Sequence, residues 1–281
     1  MARTSDAPGK DDVRTDWQGR APFWDRWADA IAELADRMNR PLIEAVGIGP
    51  GQKVLDLASG TGEPALTIAR LVGAQGSVTA TDMVPAMLSS ARRRAEAAAL
   101  GNLAFEIADM ESLPFPARHF DSVTCRFGLM FVPDPARALA EARRVLVPGG
   151  RAGFMVWGPV EDTTAMHAVR EAGLAVLGSH LRESAAIPFR LGGSGTLARL
   201  FTEAGFGTVE EREIRFTPEV PSDRPFWRPM LDMTFGPWLA DVPAAGRDAI
   251  ERGIRERLEP HRTGGLYRLR VHVRIGIGVS P

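Results

Sequence analysis

Three aspartates and two glycines carry the chemistry that the sequence makes visible. Residues 53–62 read Lys-Val-Leu-Asp-Leu-Ala-Ser-Gly-Thr-Gly. Val54, Leu55 and Leu57 form the apolar run of a buried parallel strand. Asp56 lies inside that run, where a charge needs a reason. Gly60 and Gly62 then make a tight turn, and Glu63-Pro64 opens a helix. A strand, a glycine turn and a helix bring backbone very close to a nucleotide-like ligand. Asp82 ends the second strand about 20 residues further on, where a carboxylate can take both hydroxyls of a ribose. Asp109 ends the third strand. Ligands of open α/β sheets bind at the carboxyl ends of the strands. Each aspartate alone could simply cap a helix or turn, but three in register count against that.

Holding these side chains requires a parallel sheet, and strands alternate with helices from residue 53 to 158. Ser77 to Thr81, Leu103 to Ala108, Asp121 to Cys125 and Arg151 to Trp157 read as strands after the first. Asp134-Pro135 is a cap and first-turn pair for a helix over 135–147. Helices are expected over 164–181, Thr196–Ala204 and 244–259, and a sixth strand over Thr208–Phe216. From Tyr267 to Val279 apolar residues alternate with Arg268, Arg270, His272 and Arg274, a two-faced strand. Upstream, residues 1–16 are polar and read as a disordered tail. Trp24, Trp27, Ile31, Leu34, Ala35 and Met38 share one stripe of a helix expected over 21–38.

Composition bounds the function. The chain has 281 residues, 44% hydrophobic and 25% charged, enough for a sizeable core. A net charge of -1 argues against a protein that grips nucleic acid by its phosphates. The single Cys125 excludes a disulfide framework and any thiol-rich metal site, so no metal is expected. No apolar run reaches the length of a membrane span, and no signal-peptide core is visible. Cytoplasm is the default expectation, as a monomer or homodimer. The phosphate-loop signature is absent, which argues against ATP. A nicotinamide dehydrogenase would want a third glycine where Glu63-Pro64-Ala65-Leu66 stands.

Asp56-Leu57-Ala58-Ser59-Gly60-Thr61-Gly62, Thr81-Asp82-Met83-Val84-Pro85-Ala86-Met87-Leu88 and Ala108-Asp109-Met110-Glu111-Ser112-Leu113-Pro114 together resemble the class I S-adenosylmethionine-dependent methyltransferases. So do Phe120-Asp121-Ser122-Val123 and Glu141 to Gly150. Within that family the chain is similar to the ubiquinone/menaquinone C-methyltransferase-like branch and its natural-product relatives. The resemblance implies a Rossmann-like, doubly wound seven-stranded sheet with its last strand antiparallel and set between two others. A basic face on such a strand is unexpected. The resemblance also implies S-adenosyl-L-methionine as cofactor. Asp56, Ala58, Ser59, Gly60 and Gly62 would line its amino-acid half. Asp82 would hold the ribose, Met83 and Met87 would lie against the adenine, and Asp109 with Met110 would take the adenine amino group. Arg126 would face the methionine end. Ala58 departs from the glycine that many members carry there.

Residues 218–265 are expected to form a helical lid before the last strand, and residues 17–50 a helical cap. The core then comprises 51–217 and 266–281. The segment 224–240 is dense in Pro, aromatic residues and Met, which suits an apolar or aromatic substrate. Phe226, Trp227, Met230, Met233 and Trp238, with Trp24, Trp27 and Trp157, are the expected pocket walls. The alternative for each is ordinary core. The sulfonium is already an activated donor, so catalysis is mainly alignment and exclusion of water. His167 is the one candidate base, and a carbon nucleophile needs none. The favoured reading is C-methylation of a small metabolite. A phenolic O-methyltransferase and a cofactor-binding protein without transfer activity are the alternatives.

Overall fold

The computed structural model describes residues 9–281, apart from the side chains of Glu33 and Leu34. The first part of the expected tail, residues 1–8, lies outside the described residues. The rest of that tail is helical. Helix α1 spans Lys10–Arg26 and α2 spans Ala28–Val46, with the break at Trp27 (φ −105°, ψ 8°). Val13, Trp17, Ala21 and Trp24 recur at helical spacing and give α1 an apolar stripe, which the polar residues between them mask in the sequence. The single helix expected over 21–38 is therefore two.

The core follows in alternation: β1 (Lys53–Leu57), α3 (Ala65–Val72), β2 (Ser77–Asp82), α4 (Pro85–Ala97), β3 (Leu103–Ile107), β4 (Phe120–Arg126), α5 (Pro135–Val145) and β5 (Leu146–Trp157). Then come α6 (Thr164–Leu177), α7 (Thr196–Glu203), β6 (Thr208–Phe216), β7 (Glu219–Pro221), α8 (Arg228–Leu239), α9 (Ala244–Leu258), β8 (Arg262–Thr263), β9 (Leu266–Arg268) and β10 (Val271–Val279). Seven strands form one sheet in the order β3-β2-β1-β4-β5-β10-β6. β10 runs antiparallel to both its neighbours. This is the Rossmann-like α/β sheet expected from the resemblance. Neighbouring strand residues serve opposite faces: Leu55, Val123 and Phe154 pack with Leu139 and Phe201, while Val54, Val78 and Met155 pack with Leu42, Val46 and Ile68. Asp134 caps α5 by accepting from the Arg137 N–H at 3.0 Å.

The basic face of the last strand is met by acids on β6. Arg274 is buried, donates to the Gly192 carbonyl at 2.8 Å and pairs with Glu211 at 3.1 Å. His272 is 1% exposed and lies between Asp162 (2.9 Å) and Glu213 (3.3 Å). Arg268 falls outside this strand, on β9, and pairs with Glu219 at 2.9 Å. The continuous strand expected from Tyr267 is thus divided between two sheets.

The segment expected to be a lid builds a side domain instead. α6, α8, α9 and the three-stranded sheet β7-β9-β8 enclose a separate core of Leu231, Phe235, Ile250, Ile254 and Tyr267. Trp227 is 1% exposed at its centre because its ring fills that space.

Candidate functional site

A cleft lies at the carboxyl ends of β1, β2 and β4, roofed by α1 and the start of α2. Its space, open solvent at the mouth included, is about 910 Å³. The loop after β1 supplies Ala58, Ser59, Gly60, Thr61 and Glu63. Asp82 and Met83 come from the end of β2, Met87 from α4, and Ala108, Asp109 and Met110 from the turn after β3. Arg126, Phe127, Gly128, Phe131 and Val132 close the side beyond β4. The roof is Val13, Trp17 and Trp24 of α1 with Ile31 of α2.

The loop is built for close approach. Gly60 has φ +54°, and a Cβ there would meet no atom within 4 Å, so its bare face looks onto free space. Gly62 stands behind the cleft: a Cβ on it would meet Leu66 Cδ1 at 2.1 Å and Ala91 Cβ at 3.3 Å. Gly128 is equally constrained, since its Cβ would come within 2.5 Å of the Ala58 Cβ. Ala58 and Phe127 adopt left-handed φ values of +51° and +62°. Non-glycine residues pay a steric penalty there, and such strain concentrates at ligand sites.

The three acids differ in surroundings. Asp82 is half-buried on the cleft wall; Oδ2 accepts from the Gly60 N–H at 3.0 Å and Oδ1 from the Val84 N–H at 2.9 Å. Burial pushes its pKa from the usual 3.8 up to about 6, against the pull of those amides. Each of its oxygens keeps a lone pair for a ligand. Asp109 accepts from the Glu111 N–H at 2.9 Å and from Lys10 Nζ at 2.6 Å. Asp56 does not line the cleft. It is fully buried beneath the loop, with Oδ1 accepting from Thr124 Oγ1 at 2.6 Å and Oδ2 left without a partner. Burial raises its pKa to about 6. Its carbonyl accepts from Ser59 Oγ (3.0 Å) and Thr81 Oγ1 (3.1 Å), so it props the loop from behind.

Arg126 is held by a network the sequence did not reveal. Its Nη1 donates to Asn39 Oδ1 at 2.9 Å and Nη2 to the Glu63 carbonyl at 3.2 Å, while Nε is buried without an acceptor. Asn39 in turn donates to Glu63 Oε2 (2.9 Å) and Thr67 Oγ1 (3.0 Å). Burial lowers the Arg126 pKa, opposed by Glu63 and Asp56.

Of the expected substrate walls, only Trp24 lines the cleft. Trp157 lies behind it, stacked on Phe127 with centroids 4.1 Å apart and planes 4° off parallel. Trp27 turns away and donates from Nε1 to Asp232 on α8 at 2.9 Å. Phe226, Trp227, Met230 and Trp238 pack in the side domain and Met233 lies on its helix α8, so none of the five is a wall of this cleft. His167, on α6, is also absent from the cleft wall, which leaves the expected base without a place beside it. Cys125 is buried, its thiol pushed up to about 12, and is inert. Among the described residues no cluster of His, Cys, Asp or Glu could hold a metal ion. Residues missed by the sequence reading include Val13, Trp17, Ile31, Phe127 and Phe131. The spacing of Val13, Trp17 and Trp24 was the available signal.

Residues 54–150 match the family described as methyltransferase domain. That match takes in about a third of the chain, from β1 to the start of β5. Over 110 residues it is 46% identical to the ubiquinone/menaquinone biosynthesis C-methyltransferase UbiE of Psychromonas ingrahamii, covering 39% of this chain and 44% of that protein. The chain thus spans about half the length of the curated relatives it matches. The crystal structure of the [4+2]-cyclase SpnF superposes with a TM-score of 0.65 at 20% identity, over 98% of this chain and 97% of that one. Phosphoethanolamine N-methyltransferase 2 of Haemonchus contortus, in complex with S-adenosyl-L-methionine, gives 0.56 at 18% identity over 87% of this chain and 52% of that one. These two likenesses concern the fold. The matched segment contains the loop and all three acids; the roof of the cleft, from α1 and α2, lies outside it. No described helix is long and apolar enough to cross a membrane.

Proposed function

We propose that the cleft binds S-adenosyl-L-methionine and that the protein methylates a small apolar or aromatic metabolite, with carbon as the favoured acceptor. The observation that carries this reading is the meeting of Asp82, the bare face of Gly60 and Arg126 in one cleft. The residues present fit that cofactor. Asp82 offers two acceptor oxygens for a ribose diol, and the Gly60 backbone allows close approach. The buried Arg126 Nε, without an acceptor, suits the carboxylate of an amino acid. Met83, Met87 and Met110 give a soft apolar bed for a purine. The name of the relative from Psychromonas supports a quinone-like acceptor.

When bound, the cofactor supplies an activated methyl group. The chain supplies position and dryness. Asn39 and Glu63 fix the Arg126 guanidinium, and Asp56 with Thr124 holds the loop from below. Ile31 and Phe127 exclude water from the half of the cleft beside Arg126. Alignment of this kind can contribute roughly 7–11 kcal/mol to a barrier. No titratable side chain is needed for a carbon acceptor whose ring is electron-rich. The test is calorimetric titration with S-adenosylhomocysteine, then turnover with a panel of quinols and phenols, the methylated atom read by NMR. Binding with C-methyl product supports the reading. A protein that fails to bind S-adenosylhomocysteine defeats it.

A further inference from the structure

The structure assigns α1 a part in binding: its two tryptophans close the adenosine half of the cleft. This rests on the cofactor reading above. α1 crosses the cleft along one defined side. At its start, Lys10 reaches Asp109, the acid expected to meet the adenine, and also pairs with Glu111. Val13 lines the cleft one turn later. Trp17 follows, its ring 4.8 Å from Phe131 and nearly perpendicular to it at 85°. Trp24 lies 5.5 Å from Trp17 and packs with Val84 and Met87, beside Asp82. The helix therefore runs from the adenine acid to the ribose acid. The other half, at Glu63 and Arg126, is faced by α2 through Ile31 and Asn39.

Indole rings offer flat, polarisable surface that suits a purine nucleoside. The Nε1 of Trp24 is buried and has no hydrogen-bond partner. Buried indole N–H groups normally find an acceptor, and a nucleoside oxygen or ring nitrogen in the cleft supplies one. The helix is braced from outside the cleft. Asp25 pairs with Arg93 of α4 at 2.7 Å, and Arg20 donates to the Thr234 carbonyl of α8 at 2.8 Å. These contacts fix the position of the helix as a clamp over the cleft. Trp24, expected from the sequence to meet the substrate, is reassigned to the nucleoside.

The test uses two ligands and the full chain. S-Adenosylhomocysteine carries both halves of the cofactor, whereas 5′-methylthioadenosine carries the nucleoside without the amino acid. Both are titrated by calorimetry into wild type, Trp24→Phe and Trp24→Ala. Trp24→Phe keeps the ring and loses the donor, and affinity for both ligands should fall by the same factor, about three- to tenfold. Trp24→Ala should fall further, again equally for both. A loss confined to S-adenosylhomocysteine places Trp24 at the amino-acid end and overturns the clamp. Unchanged affinities for both ligands in a folded Trp24→Phe variant also overturn it. Wild type that binds neither ligand defeats the cofactor reading itself, and the clamp with it.

Discussion

Asp82 is the side chain on which the proposed chemistry turns, and its protonation gives a direct test. Burial raises its pKa in the folded protein from 3.8 to about 6, so folding favours the protonated form. Its contribution to stability is therefore present below about pH 4 and is lost as pH rises through about 6. A ribose diol wants the ionised carboxylate. Affinity for S-adenosylhomocysteine should then rise with pH and level off above neutrality, with about a tenfold gain between pH 5 and 7. Asp56 titrates in the same range but does not face the cleft. Calorimetry on Asp82→Asn separates the two: this variant should bind weakly at every pH, without the rise. A rise that survives in Asp82→Asn assigns the titration elsewhere. The loop offers a second residue-scale test. Gly128→Ala should cost about 1–3 kcal/mol, because its Cβ would lie 2.5 Å from that of Ala58 and 2.9 Å from Cys125 Sγ. Ala58→Gly removes the first clash and relieves a left-handed φ of +51°. The double variant should recover about 1 kcal/mol relative to additivity in denaturant unfolding. Strict additivity would mean that the two residues do not touch.

Elements were readable where local pattern and tertiary role agree. The strand–glycine–helix unit from Lys53 to Val72 announces itself, because a buried parallel strand must be apolar and its turn must bend sharply. Asp82, Asp109, Met83, Met87, Met110 and Arg126 reach the cleft because they sit at fixed offsets from strand ends. Asn39, Trp17 and Phe131 come from segments whose place is set by contacts distant in sequence, so local pattern does not announce them. α1 shows the difficulty: it opens on Lys10, Asp11 and Asp12, and composition alone reads as a tail. α8 shows the reverse error. Its aromatic and Met density reads equally as pocket or core, and here Trp227 fills a core. Trp227→Ala should accordingly lower stability by about 3–5 kcal/mol. Thermal melting should show the loss, while affinity for S-adenosylhomocysteine below the new melting temperature stays near wild type. Selective loss of a substrate with an unchanged melting temperature would restore the lid.

At the scale of the whole molecule, charge holds the last strand in the main sheet, and α1 joins the roof of the cleft to the side domain. Along the sheet edge, Glu211 and Glu213 neutralise Arg274 and Asp162 meets the His272 ring nitrogen, so β10 can lie buried between two strands. Over the cleft, α1 leans on α8: Phe23 packs so tightly on Gly236 that a Cβ there would come within 2.5 Å of its ring. Trp27 Nε1 donates to Asp232 at 2.9 Å, and Arg26 approaches the same carboxylate at 3.8 Å. Asp232 does not line the cleft, yet it fixes the end of the helix that carries Trp24. Asp232→Ala should therefore let α1 fray from its brace. The expected outcome is faster dissociation of S-adenosylhomocysteine in stopped-flow displacement, with affinity lower by about two- to fivefold. The melting temperature should move little, because an ion pair this open to solvent adds little stability. A melting temperature that falls while the dissociation rate holds would make α8 a stabiliser alone, with no hold on the roof of the cleft.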